Sequence, residues 1–363
     1  DAVGAYTQVS LKEAHLLLGG TPDDFIETWI SFENMPHRRP KSWDNIEDPV
    51  CILNLNLYGH PLAGLLWEKY CQNILIEEGF EKVPCWECLF VHRQQKLFLS
   101  IYVDDFKMSG NAKAVDNMWI TLGKKLELEE PVPIGENTYL GCGQEDVLPS
   151  PDLIAEKQDM FAELLKAKQI PKDATPEEAA ILKMLSARFT PPLPTKTNKV
   201  KAYQYVMTGH GEQCVERYLE LSGKKIDSLK QVATPCIDDH QLSPDEMITK
   251  GVLAPVAARI VLKVLYLARV GRMDLLWSVN VLAREVTRWT AACDRRLHKL
   301  ISYIHHTKTW VQLSYVGDEP QNCWLALYAD ASFAGDLKDS KSTSGCFFSF
   351  GGTKPFCSHS MVL

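Results

Sequence analysis

The chain has 363 residues, 45% of them hydrophobic and 23% charged, with a formal net charge of -7. That length supports two or three domains with cores of their own, and no apolar run reaches the roughly 20 residues that a membrane span needs. The negative balance argues weakly against nucleic-acid binding, which draws on Lys and Arg. Basic clusters nonetheless occur at Arg38-Arg39-Pro40-Lys41, Lys124-Lys125, Lys224-Lys225 and Arg295-Arg296 with His298-Lys299, each equally readable as a solvated face. The 11 cysteines are scattered and no secretory leader precedes them, which suggests reduced thiols in an intracellular compartment. Starting at Asp1 without Met, the chain reads as a fragment or partial reading frame.

Residues 1–19 read as a strand followed by a helical turn. Thr21-Pro22-Asp23-Asp24 is a turn or helix-start signal, Glu27 to Ile30 a short strand, and Pro36 to Trp43 a basic loop. A strand over Asp48 to Tyr58 ends at a turn through Gly59 and Pro61. A helix follows with Leu66, Trp67, Tyr70, Ile74 and Leu75 on one face and Gly79 as its cap. Cys85-Trp86-Glu87-Cys88 has zinc-knuckle spacing but no second Cys or His pair to complete a site. Trp86 to His92 then forms a strand.

The stretch from Lys96 to Met108 organises the rest. Leu97, Leu99, Ile101 and Val103 alternate with Phe98, Ser100 and Tyr102, the pattern of a half-buried strand. It runs into Asp104-Asp105 and then the apolar run Phe106 to Met108, so a hairpin would hold two carboxyl groups at its tip. Paired carboxylates repel, and a divalent cation between them would relieve that repulsion. Asp also favours turns through its own hydrogen bonding, so a structural hairpin tip is the competing reading.

Residues 151–222 read as helical, with a stripe at Met160, Phe161, Leu164 and Leu165, a capping box at Thr175-Pro176-Glu177-Glu178 and a break at Thr190 to Pro194. Asp238-Asp239 reads as a turn rather than a second metal site. Three further helices follow: Ala254 to Arg269, one capped by Asp274, and one capped by Thr290. Trp324 to Asp336 and Gly345 to Phe350 read as strands, with a hairpin turn at Gly351-Gly352.

Tyr102-Val103-Asp104-Asp105 resembles the palm-hairpin motif of reverse transcriptases. The colinear order Leu57-Tyr58-Gly59, Ala63-Gly64, Trp67, Gly79-Phe80 and Cys88-Leu89-Phe90 before it, and Tyr139-Leu140-Gly141 after it, resembles the polymerase of copia-type LTR retrotransposons. The branch is divergent: His60-Pro61-Leu62 stands where the commoner pattern has Leu-Lys-Gln. Aligned on Ala14, Gln8 to Leu16 lies against the family's Gln-x-Asp-Val-x-x-Ala-Phe-Leu. Ser10 therefore stands in place of the third metal-binding Asp, and His15 in place of the aromatic gate against ribose. On a strand, Glu13 would face away from Ser10 and could not replace the missing carboxylate. Tyr266-Leu267-Ala268, Arg272-x-Asp274 and Ile304 to Lys308 are similar to the family's link between polymerase and RNase H. Trp324 to Asp336 with Ser342 to Gly345 resembles the opening of its RNase H.

The resemblance implies an α+β fold. It comprises reverse-transcriptase fingers and palm over residues 1–148 (a palm sheet with flanking helices), a helical thumb over 149–235, a helical connection over 236–318, and a truncated RNase H-like α/β domain over 319–363. It implies RNA-directed DNA polymerase activity, two-metal transfer of a nucleotide from dNTP to a primer 3′-OH. Asp104 and Asp105 would be catalytic and, with Asp330 in the nuclease, would bind Mg²⁺ or Mn²⁺. Tyr102, His15 and Gly59 would lie against nucleotide or primer. The partners implied are an RNA template, a DNA primer and their hybrid, held through backbone and 2′-OH contacts, with no membrane. In intact relatives the setting is intracellular, a cytoplasmic virus-like particle or the nucleus. With Ser10 for Asp and a nuclease that stops before its next carboxylate, the alternative is an inactive remnant that at most binds nucleic acid. An unrelated metal-binding or interaction protein is the remaining reading.

Overall fold

A computed structural model of the chain describes residues 1–33, 36–156, 159, 175–180, 200–317, 323–332, 342–351 and 357–358. It divides into two compact units, Asp1–Pro133 and Ile134–Leu363. Helices are mixed with small sheets, and every described strand pair is antiparallel.

In the first unit a 3-10 turn over Ala5–Gln8 leads through extended Val9 and Ser10 into α1 (Leu11–Leu17). Ser10 bridges Leu55 and caps the helix, its Oγ accepting from the Glu13 amide at 3.4 Å. The Ser-x-x-Glu spacing of Ser10 and Glu13 is a helix-start signature. Glu13 is thus in the first turn of a helix, and the strand geometry assumed for it from the sequence does not hold. β1 (Trp29–Ser31) pairs with β2 (Val50–Ile52), which is shorter than the strand read from the sequence. The chain turns instead at Asn56, which is fully buried. Its Nδ2 donates to the Ala63 carbonyl at 2.9 Å and its Oδ1 accepts from the Leu57 amide at 3.0 Å.

α2 (Ala63–Glu77) buries Leu66, Trp67, Cys71, Ile74 and Leu75, and Gly79 (φ 89°) ends it in the left-handed conformation that glycine adopts without strain. A four-stranded sheet follows, in the order β3 (Glu81–Lys82), β4 (Leu89–His92), β5 (Leu97–Tyr102), β6 (Asp105–Ser109). The period-2 pattern of β5 buries Leu97, Leu99 and Ile101 and exposes Phe98 and Tyr102. α2 and α3 (Ala112–Leu122) contribute to the same core as the buried face of the sheet.

The second unit opens with β7 (Thr138–Tyr139) and β8 (Cys142–Val147), joined by a tight turn in which Leu140 and Gly141 both have positive φ. Tyr139-Leu140-Gly141, the last motif of the family resemblance, is therefore mostly this turn. Lys201–Val206 is a strand, β9, within the stretch read as helical. Val200 and Ala202 are buried there, and β9 lies between β8 and β10 (Gln312–Val316). The stripe at Met160 to Leu165 and the break at Thr190 to Pro194 lie outside the described residues. The capping box at Thr175 and Glu178 forms, its reciprocal hydrogen bonds being 2.9 and 3.3 Å.

The core of this unit is helical: α4 (Thr208–Ser222), α5 (Pro244–Ile248), α6 (Ala257–Val270), α7 (Leu276–Arg284) and α8 (Ala291–Thr307). Asp274 caps nothing. Both its oxygens receive the buried Arg272 guanidinium at 2.9 and 2.7 Å, while Arg272 also donates to the carbonyl and the hydroxyl of Thr307, each at 2.8 Å. Thr290 makes no side-chain cap either. Asp294, one turn in, accepts from the Val252 amide at 2.6 Å and the Trp289 indole at 2.7 Å. Asp238 accepts from the His240 amide and Asp239 pairs with Arg296, so this pair is a turn, as the sequence indicates. β11 (Trp324–Ser332), β12 (Thr343–Gly351) and β13 (Cys357–Ser358) form the last sheet. Gly351 belongs to β12, and Gly352 lies outside the described residues.

Candidate active site

Tyr102 pairs with Asp105 across the β5–β6 hairpin, leaving Val103-Asp104 as a two-residue turn. Asp104 is in the turn and Asp105 opens β6, so adjacent carboxylates stand at one tip. Val103 has φ 57°. A β-branched side chain in the left-handed region costs on the order of 1–3 kcal/mol, and such strain persists only where surrounding contacts enforce it. Those contacts are visible. The indole Nε1 of Trp67, a residue 2% exposed on α2, donates to the Val103 carbonyl at 2.6 Å. The Ala2 amide donates to the Asp104 carbonyl at 2.8 Å.

Partial burial holds the Asp105 carboxyl above its ordinary range, and the neighbouring Asp104 charge raises it further, against a weaker opposing pull from the chain's terminal ammonium. The two adjacent carboxylates of this turn could serve as ligands to one divalent cation. Among the described residues no group of three His, Cys, Asp or Glu side chains is placed to hold a metal. Directly paired residues share a sheet face, so Phe98, Ser100 and Tyr102 of β5 stand with Asp105 and Lys107 of β6 on the face opposite the core. Tyr102 is 57% exposed there.

The other residues singled out in the sequence stand as follows. His15 lies on α1 with Nε2 at 2.6 Å from Asp24 and 3.1 Å from the Thr21 carbonyl, its ring edge-on to Phe25. Gly59 (φ 97°) forms the turn before α2, beside Tyr58, whose ring packs on Tyr6 at 4.4 Å. Glu13 lines a groove with Leu16, Leu17, Tyr70, Glu77 and Lys125. Asp330 belongs to the second unit, exposed on β11 opposite Gly345. Asp336 and Asp339 lie outside the described residues. Cys85 and Cys88 are both exposed free thiols.

Two features of the site escaped sequence reading. Trp67 was legible as one member of a helical stripe and of the family motif but not as a clamp, although a buried indole usually finds an acceptor for its N–H. The strain at Val103 also leaves a trace, since glycine or asparagine is the usual residue in a two-residue hairpin turn and valine is not.

No curated protein and no solved structure matches the chain. Residues 29–148, which span α2, the four-stranded sheet and its Asp104-Asp105 turn, match the family model described as Reverse transcriptase (RNA-dependent DNA polymerase), so this part of the chain is similar to a reverse transcriptase domain.

Proposed function

We propose that the chain is the reverse transcriptase region of a copia-type retrotransposon polyprotein, an RNA-directed DNA polymerase followed by thumb, connection and RNase H-like regions. The observation that carries this reading is the Tyr102-Val103-Asp104-Asp105 turn, strained and clamped at a hairpin tip inside the matched residues. The partners are RNA template, DNA primer and dNTP.

Asp104 and Asp105 would hold Mg²⁺ or Mn²⁺, which when bound favours ionisation of the primer 3′-OH and neutralises charge building on the departing pyrophosphate. The primer oxygen, its proton passing to solvent, bonds to the α-phosphorus as the bond to pyrophosphate breaks. Asp104 and Asp105 fix where that exchange occurs, and Trp67 fixes them by holding the turn that carries both. Tyr102, exposed on the same sheet face as Asp105, packs beside the primer end. The hybrid is held through its backbone without sequence readout.

Ser10 limits the rate. It replaces a carboxylate in the family pattern, brings no charge, and its hydroxyl already caps α1. One lost metal ligand costs about 4 kcal/mol of transition-state stabilisation, about a thousandfold in rate. That engaged hydroxyl also favours the second reading, an inactive remnant that retains nucleic-acid binding. Extension of a primed RNA template with Mg²⁺ separates them: slow extension abolished by Asp104→Asn supports the polymerase, and no extension even after Ser10→Asp supports the remnant.

A further inference from the structure

Charge in the second unit departs from that of the whole chain. Between Ala257 and Lys308 there are ten Lys or Arg against three Asp or Glu, a net +7 within a chain of net -7. Half of these ten cations are ion-paired: Arg272, Arg288, Arg295, Arg296 and Lys308. Arg259 and Arg269 have no ion pair among the described residues. Both are exposed on α6, which contains no acidic residue.

The two arginines bound one stripe. α6 buries Ala257, Ile260, Val261, Val264, Leu267 and Ala268, and its opposite face presents Arg259, Leu262, Tyr266 and Arg269 at spacings of three, four and three residues. Leu262 is 58% and Tyr266 40% exposed. The Tyr266 hydroxyl donates to the Leu140 carbonyl and its ring lies 5.2 Å from His210, so the ring is held in one orientation. Ten residues of helix separate the arginines by about 15 Å, enough to engage two separate phosphates.

We propose that this stripe binds a single strand of nucleic acid, with Arg259 and Arg269 on phosphates and a base stacked on Tyr266. Guanidinium groups without acidic partners suit phosphate oxygens. An oriented, exposed ring between them rewards unpaired bases, at about 1–3 kcal/mol for each base stacked. A lipid surface is disfavoured because the broad apolar face of α6 is buried in the core. This deepens the polymerase reading and rests on it for biological context, but it is testable without catalysis.

The test is fluorescence anisotropy of a labelled oligothymidylate with the full-length chain, without metal, across a salt titration. Arg259→Gln with Arg269→Gln should weaken binding about tenfold at low salt, and flatten the log–log salt slope by about 1.4, for two phosphates at about 0.7 each. Tyr266→Leu should weaken it about fivefold with the slope unchanged. The pair Lys224→Gln and Lys225→Gln, exposed cations elsewhere in the unit, should change binding little. Matching thermal melts show that the variants remain folded. No binding, binding indifferent to Arg259 and Arg269, or preferential binding to duplex DNA or to phosphatidylserine vesicles would overturn the proposal. Failure of the polymerase reading would look different, as strand binding intact with no primer extension.

Discussion

Trp67→Phe isolates what holds the Asp104-Asp105 turn in place. Phenylalanine keeps an aromatic ring in the core but removes the indole N–H that reaches the Val103 carbonyl at 2.6 Å. A net hydrogen bond is worth about 1 kcal/mol, and because Val103 is 39% exposed its carbonyl can recruit water rather than remain unsatisfied. The smaller ring forfeits a further ~1–2 kcal/mol of burial and packing, since Trp67 is 2% exposed. Together the loss should be about 2–3 kcal/mol in urea unfolding followed by far-ultraviolet circular dichroism. The strain at Val103 makes a sharper test. If the indole enforces φ 57°, then Val103→Gly, which accepts that backbone freely, should make the clamp less necessary. A double-mutant cycle should show a coupling of roughly 1 kcal/mol, with Trp67→Phe costing less in the glycine background. Additive effects, or a Trp67→Phe cost below ~1 kcal/mol, would refute the clamp.

Val103→Gly alone should leave stability unchanged or raise it by up to ~1 kcal/mol, against the usual loss for Val→Gly in a strand. Asp105→Asn should stabilise at neutral pH. The raised carboxyl prefers its proton in the folded state, so the stability it supplies is full below the ordinary Asp range near pH 4 and is lost as pH rises through the raised value. The gain should therefore vanish in melts run below about pH 4. His298 is held below its ordinary value, first by burial and then by Lys224. Its neutral ring is set by the Tyr218 hydroxyl at 2.8 Å and the Ser228 carbonyl at 3.2 Å. Its stabilising contribution is full above about pH 6.5 and is lost as pH falls through the depressed value, so His298→Gln should flatten the acid side of the stability profile. Asp274→Ala should cost about 3–5 kcal/mol in urea unfolding, because it leaves the buried Arg272 guanidinium short of its counter-ion.

Local periodicity made the centre of the first unit legible. Leu97, Leu99 and Ile101 specify the buried face of β5, the stripe from Leu66 to Leu75 specifies α2, and Gly79 marks its end. The hairpin tip with both carboxylates could also be read directly. What could not be read depended on contacts distant in sequence. Trp67 meets Val103 across 36 residues, and Asp294 replaces Thr290 as acceptor because Val252 and Leu253 come back to the start of α8. β9 was overlooked although Tyr203-Gln204-Tyr205-Val206 is rich in strand formers, and its partners β8 and β10 lie far from it in sequence. The cap at Ser10 was overlooked for a local reason. The family alignment drew attention to the missing carboxylate and away from the Ser-x-x-Glu cap that the same residues spell out.

That cap makes Ser10→Asp a clean substitution. Aspartate caps helices as well as serine does, so α1 should remain while a full negative charge is restored. Primer extension on an RNA template with Mg²⁺, comparing the unaltered chain with Ser10→Asp, Asp104→Asn and Asp105→Asn, is the most direct measurement. The unaltered chain should extend very slowly, Ser10→Asp should be faster by orders of magnitude, and either asparagine variant should be inactive while strand binding persists. Extension undiminished by Asp104→Asn and Asp105→Asn would contradict the assignment of this turn as the polymerase site.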